Sequence, residues 1–209
     1  MDIPGFIKLF IALLAIVNPL GAVPVFLAAT ATNQRVLRPR IALKASLTVF
    51  ITLLVSAWVG KMLLSFFGIG IPAFRVGGGI LILLMAISMM DARMPGAKVL
   101  PEEEREALDY EEIGVVPLGI PLLSGPGSIA LVIVTADRGP QMGPMLMLSG
   151  AILIVAVASY AILSLGALIG HRLGKTGINL STRLSGLLLA AVAIEFISAG
   201  AVELFPGLR

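Results

Sequence analysis

Two short motifs hold the residue types from which a polar site could be built in an otherwise apolar chain: Asn18-Pro19-Leu20-Gly21 and Ser124-Gly125-Pro126-Gly127-Ser128. Proline inside a helix removes a backbone donor and collides with the preceding turn. Each motif instead has the form of a helix start, with Asn18 or Ser124-Gly125 as the capping end and Pro19 or Pro126 at the first helical position. A helix beginning there leaves its first N–H groups without an intrahelical partner. Together with the positive end of the helix dipole, those groups favour an anion such as a carboxylate. The third candidate is Glu195, in Ala-Ile-Glu-Phe-Ile, which reads either as a proton site or as a hydrogen-bonding partner of a neighbouring helix break.

Other chemistries are poorly supplied. No cysteine is present, which excludes disulfides, thiolate metal sites and a cysteine nucleophile. The single His171 cannot form a His-rich metal cluster, so no metal or other cofactor is expected. No Gly-x-x-x-x-Gly-Lys-Ser/Thr loop is present to bind a nucleotide. An intramembrane hydrolase would need a base beside its nucleophile. The apolar stretches contain no histidine, and capping accounts for Ser124 and Ser128, so the chain is not read as an enzyme.

The elements that must position these residues follow from composition. Of 209 residues 58% are apolar and 13% charged, with a mean hydropathy of +1.04, whereas soluble domains carry about a quarter charged residues. The net charge is +3, and 15 of the 27 charged residues fall in two short polar stretches, Arg35 to Lys44 and Asp91 to Glu112, which argues for loops beside a lipid bilayer rather than a nucleic-acid partner. A hydrocarbon core about 30 Å thick takes roughly 20 apolar residues as a helix. Six stretches qualify: Phe6 to Ala29, Ile41 to Phe67, Ala73 to Met90, Ile113 to Ala136, Pro144 to Gly170 and Leu180 to Leu204. The expected fold class is therefore all-α, a polytopic membrane protein of six transmembrane helices. Pro19 and Pro24 in the first, and Pro117, Pro121 and Pro126 in the fourth, predict that those two helices are broken.

Ten Lys and Arg residues fall on one face of this arrangement and five on the other. By the positive-inside rule the first face is cytoplasmic, and both termini lie outside. Residues 91–112 form an acidic cytoplasmic loop between two halves, 1–90 and 113–209. These halves resemble each other. Arg75-Val-Gly-Gly-Gly-Ile-Leu aligns without a gap on Arg183-Leu-Ser-Gly-Leu-Leu-Leu, and the two Pro-Gly motifs lie at nearly the same distance upstream. Three spans per half would invert the second copy relative to the first. Two inverted three-helix repeats around discontinuous helices are an architecture of secondary transporters.

Asn18-Pro19-Leu20-Gly21-Ala22-Val23-Pro24, Phe67-Gly-Ile-Gly-Ile-Pro-Ala-Phe-Arg-Val-Gly-Gly79 and Pro121-Leu-Leu-Ser-Gly-Pro-Gly-Ser-Ile129, in this order along nearly the whole chain, resemble the MarC family of integral membrane proteins. The resemblance implies a six-span inner-membrane protein with outside termini. It also implies, by likeness to members that carry glycine and alanine, proton-coupled transport of a small neutral amino acid. Asn18, Pro19, Leu20, Gly21, Ser124, Gly125, Pro126, Gly127 and Ser128 would then bind a zwitterionic substrate, with Glu195 the proton-coupling candidate. A passive channel or an efflux protein for another small solute is the alternative. The orientation is testable: single cysteines introduced at Gln34 and Glu104 should stay unlabelled by a membrane-impermeant thiol reagent in intact cells, and labelling of either from outside reverses the topology.

Overall fold

In hydrocarbon every backbone N–H and C=O must find its partner within the chain, which leaves the helix as the form for long segments apolar on all sides. The structure is a computed structural model that describes residues 3–30, 37–91, 114–137, 142–205 and 207, with the backbone alone for 114–117 and 121. Among the described residues every regular element is helical. The first polar stretch beyond Thr30 and nearly all of the acidic loop lie outside the described residues, as does the orientation of the termini.

The helices are α1 (Ile3–Val17), α2 (Pro19–Ala29), α3 (Arg38–Phe66), α4 (Ile71–Met90), α5 (Pro126–Ala136), α6 (Met142–Ser164) and α7 (Gly166–Leu204), with a π-helical segment, Gly114–Leu123, before α5. Five stretches are long and apolar enough to cross a membrane: α1 with α2, α3, α4, α6 and α7. The expected fourth span resolves instead into the π-helical segment and α5, whose 11 residues are too few to cross alone.

Two expected boundaries move. The fifth helix stops at Ser164 rather than Gly170, and the sixth runs from Gly166 instead of Leu180. His171, Arg172 and Lys175, expected in a loop, are exposed residues of α7. α7 is two helical pieces that meet among them at Gly174, with φ 60° and ψ −176°, a non-helical backbone state open to glycine. The piece before it packs on α2, where a Cβ on Gly166 would lie 3.5 Å from Val23 and one on Gly170 would lie 3.2 Å from Leu27.

Polar groups at the helix ends hold the connections. Phe67-Gly68-Ile69 closes α3 by a Schellman turn: Gly68, at φ 68°, donates its N–H to Ser65 O at 3.1 Å, and Ile69 N–H reaches Leu64 O at 2.9 Å. At the end of α2 the Arg38 guanidinium donates to Thr30 Oγ1 (3.1 Å) and Thr30 O (3.3 Å), placing a cation on a helix C-terminus. Because Arg38 begins α3, the chain reverses there. Lys61 pairs with Asp137 at 2.7 Å, and Arg75 pairs with Glu203, so both basic residues near these ends are matched. Trp58 Nε1 donates to Ser149 Oγ across the α3–α6 contact at 3.2 Å.

α4 and α7 form the most extensive helix pair in the fold. They run antiparallel, for an added Cβ on Gly200 would meet Pro72 O and Val76, one on Gly79 would meet Ala193 and Ile197, and one on Gly186 would meet Ala86 and Met89. Without side chains at these points the two backbones come close enough for extensive dispersion contact, which drives association where lipid is already as apolar as leucine. Gly77, by contrast, has nothing within 4 Å of its would-be Cβ. Gly200→Ala, whose Cβ would fall 2.8 Å from both Pro72 O and Val76 Cγ2, should therefore cost about 1–3 kcal/mol, while Gly77→Ala should be neutral or mildly stabilising. Thermal unfolding of the two purified variants in detergent checks this, and equal midpoints would mean that α4 and α7 are not tightly apposed.

Candidate functional site

The site begins at Asn18. Its backbone is left-handed, φ 46° and ψ 57°, a state that asparagine visits more readily than most side chains. One residue in this conformation is enough to end α1 and start α2 with Pro19 at its first position. The Asn18 carboxamide oxygen accepts from Gly21 N–H at 3.2 Å, and Asn18 O accepts from Ala22 N–H at 3.2 Å. Pro19 has no N–H to satisfy. Leu20 N–H is then the donor of the first turn with no backbone carbonyl bonded to it among the described residues.

The second break is built differently from the sequence expectation. Ser124 does not cap α5: the cap is Gly125, extended at φ −73° and ψ 171°, with no side-chain hydrogen bond to the helix. Ser124 completes the preceding π-helical segment, its N–H and its hydroxyl both donating to Gly119 O, at 2.9 and 2.6 Å. Beyond the break, Ser128 N–H and Oγ donate to Gly125 O at 3.1 and 2.8 Å, and Ile129 N–H does so at 3.2 Å. Pro126 again supplies no donor at the first position. Gly127 N–H is left as Leu20 N–H is in α2.

The two breaks adjoin. A Cβ on Gly127 would lie 2.9 Å from Ile16 Cδ1 in the last turn of α1, and 2.8 Å from Met85 Sδ of α4. α5 runs parallel to α3, as the contacts of Gly60 with Ile133 and of Lys61 with Asp137 require. Since α3 reverses the direction of α2 at Arg38, α2 and α5 diverge in opposite senses from neighbouring starting points. Pro19, Gly21, Ser124, Gly125, Gly127 and Ser128 are buried, Asn18 and Leu20 partly so, and Pro126 is exposed. Gly127 is thus a close-packing glycine, filled by Met85 and Ile16, rather than one that opens onto free space.

Glu195 stands apart. The structure places it exposed on α7, and nothing brings its carboxyl to the breaks. Sequence reasoning also passed over a buried hydroxyl on α3, a helix that packs on the broken fourth span. Ser46 of α3 is 4% exposed and its Oγ has no hydrogen-bond partner, an uncommon state for a buried hydroxyl. It shares a helical face with Gly60, which rests on Ile133 of α5. Fourteen residues back along α3, about 21 Å at 1.5 Å per residue, this face is beside the π-helical segment, on which α3 also packs. A lone serine among Ala45, Leu47 and Val49 carries no sequence signal. Only the neighbouring broken span gives it meaning.

Comparison with known proteins places the chain in a family. A family model described as the MarC family integral membrane protein covers residues 3–205. The chain belongs to the MarC family. It is 39% identical over 207 residues to the UPF0056 membrane protein YhcE of Escherichia coli, covering 99% of this chain and 96% of that one. It is 37% identical over 195 residues to a UPF0056 membrane protein of Pyrococcus abyssi, with 93% of each covered, and 38% identical to one from Aquifex aeolicus, over 93% and 91%. These relatives are named as membrane proteins without a substrate. No solved structure matches the chain. This MarC-family chain is thus a multi-pass integral membrane protein whose two motifs form adjoining helix breaks.

Asn18 gives the clearest test of the first break. Asn18→Ala loses the cap on Gly21 N–H and forces a Cβ-bearing residue without a side-chain hydrogen bond into the left-handed region, for a loss of about 2 kcal/mol in all. Asn18→Gly accepts the conformation freely and should lose only a few tenths. Unfolding midpoints in detergent should rank wild type, Gly, Ala, with a clear gap before Ala; equal losses would show that the left-handed turn is not what holds the break.

Proposed function

We infer that this MarC-family protein is a secondary transporter of small neutral amino acids of the glycine and alanine type, working by alternating access in the inner membrane and drawing on a proton gradient. The observation that carries the reading is the pair of oppositely directed helix starts, at Pro19 and Pro126, that adjoin through Ile16 and Gly127. In hydrocarbon an unmet N–H costs several kcal/mol. Leu20 and Gly127 therefore present donors suited to the carboxylate of a zwitterion, reinforced by two helix dipoles.

The inverted repeat supports the same reading. Pro19 lies 56 residues before Arg75, and Pro126 lies 57 before Arg183. The helices that carry those arginines, α4 and α7, pack antiparallel as inverted counterparts should. On this view the π-helical segment with α5 is the sixth crossing, and the halves rock about the two breaks. The ammonium end of the substrate would meet the C-terminal carbonyls of the π-helical segment, whose next turn is interrupted at Gly125, and the unpartnered Ser46 hydroxyl beside them. Protons would be carried by Glu195, for the other described carboxylates, Asp91, Asp137 and Glu203, stand at helix ends.

Side-chain changes at Gly127 would disturb packing against Met85 and Ile16, so Ser46 is the better probe. In proteoliposomes the wild-type protein should exchange radiolabelled glycine and be competed by alanine but not by glycinamide, which lacks the anion. Ser46→Ala should raise the apparent KM for glycine about tenfold, near 1.4 kcal/mol, and Ser46→Thr should restore most of it. Absence of glycine and alanine exchange by the wild type would refute the substrate class, and an unchanged KM in Ser46→Ala would remove Ser46 from the site.

A further inference from the structure

Arg75 of α4 is a buried cation whose donors are only partly used. The residue is 7% exposed, and its Nε has no hydrogen-bond partner. Among the described residues Nη1 alone of its nitrogens is bonded, to Glu203 Oε1. Nε and Nη2 lie on one edge of the planar guanidinium, and that edge is the fork that takes a carboxylate in two parallel hydrogen bonds. A buried donor left unmet is uncommon, and on a charged group it is costly. Glu203 stands one residue before the end of α7, with 42% of its side chain exposed. Local opening of that last turn, which costs little at a helix end, gives a ligand access to Nε.

The backbone around this pair has the same polarity as the side chains. α4 begins at Ile71 and α7 ends at Leu204, so their antiparallel packing sets the positive end of one helix dipole beside the negative end of the other. Gly70 caps α4 without a side-chain hydrogen bond, and Pro72 brings no donor, which leaves Ile71 and Ala73 N–H at the helix start. The last carbonyls of α7 are likewise beyond the reach of its own hydrogen bonds. One end of the α4–α7 pair thus sets a cation and backbone donors beside an anion and backbone acceptors.

We propose that this end is an entry site for a zwitterion, which places its carboxylate on Nε and Nη2 of Arg75 and its ammonium on Glu203 and the terminus of α7. The inference rests on the amino-acid substrate class proposed above and adds where the substrate is first held. A simple anion is repelled by Glu203 and a simple amine by Arg75, so only a molecule with both charges satisfies both halves. Ile82, which would meet an added Cβ on Gly127, is seven residues further along α4, about 10 Å away. The entry site is therefore separate from the helix breaks, and it lies nearer the end that the charge distribution places outside.

Oriented proteoliposomes separate the two faces of the protein. Labelling of Phe67→Cys by an impermeant thiol reagent marks the face that carries the α3–α4 turn, and the absence of native cysteine makes that label specific. From this face Arg75→Gln and Glu203→Gln should each raise the apparent KM for glycine about tenfold at unchanged Vmax. From the opposite face both should leave KM unchanged. Arg75→Lys keeps the charge without the fork and should recover only part of the loss. Lys61→Gln, which breaks the more exposed pair with Asp137 at the same end, should alter KM from neither face. Should Arg75→Gln fail to fold, Glu203→Gln, at an exposed position, decides alone. A KM that is unchanged in Glu203→Gln, raised equally from both faces, or raised as much by Lys61→Gln overturns the proposal. So does a fall in Vmax alone, which would make the ion pair a clamp between helices. Absence of glycine exchange by the wild type would instead refute the substrate class, and this site with it.

Discussion

Every feature of this protein follows from the requirement that backbone polar groups be satisfied inside a hydrocarbon layer. Continuous helices meet it automatically, and α3, α4 and α6 do little else. Wherever the chain departs from continuous α-helix, a specific group takes over the lost hydrogen bonds. Asn18 covers Gly21, Ser124 covers Gly119, Ser128 and Ile129 share Gly125 O, and Arg38 covers Thr30. The departures lie mostly at helix ends, where such substitution is needed anyway. Those inside the bundle, at Asn18 and Gly125, are covered only in part. Among the described residues Leu20 N–H and Gly127 N–H are left without a backbone acceptor.

A second consequence concerns the glycines. Because lipid solvates leucine as well as protein does, helices associate where they can approach closely. Gly79, Gly186 and Gly200 bind α4 to α7, and Gly78 sets α4 on Ala130 of α5. α4 is accordingly the element shared between the second break and α7. One of its faces carries Ile82 and Met85, which fill the space at Gly127, and the next carries Gly79 against Ala193 and Ile197. The geometry at Gly125 and the position of α7 are fixed through the same rigid helix.

Much of this was legible in the sequence. Long apolar runs predict six spans, of which five are long and apolar enough to cross, and prolines inside the first and fourth predict both breaks. What was not legible has definable causes. The π-helical register before Ser124 depends on Pro117 and Pro121 disturbing one turn after another, and a proline signals an interruption without saying how the chain repairs it. Ser124-Gly125 together read as the capping end because serine is a good capping residue, but Gly125 alone, with extended backbone, begins the helix without a side-chain hydrogen bond. His171, Arg172 and Lys175 stand on helical pieces either side of Gly174, so the polar stretch does mark an interruption, but one confined to a single residue. The orientation of Glu195 was hidden for a deeper reason: in a segment apolar all round, no amphipathic period tells which face is inward.

A site lined by backbone donors has a mechanistic corollary. Amide groups do not titrate, and no side chain at either break bears a charge, so the breaks by themselves cannot couple substrate movement to protons. On the proposed reading coupling would enter from a carboxyl elsewhere, and Glu195 is the one described carboxyl well within a span. Its distance from the breaks then requires a mechanical link instead of direct contact. The route available is the α7–α4 interface, where backbones meet with little compressible side chain between them, followed by the α4 contacts of Ile82 and Met85 with Gly127. Packing of this density transmits displacement rather than absorbing it, so a change in hydrogen bonding at Glu195 that shifts α7 along α4 also shifts the walls of the second break. In the proposed transporter the separation of proton-bearing and substrate-bearing groups would be a consequence of building the site from backbone.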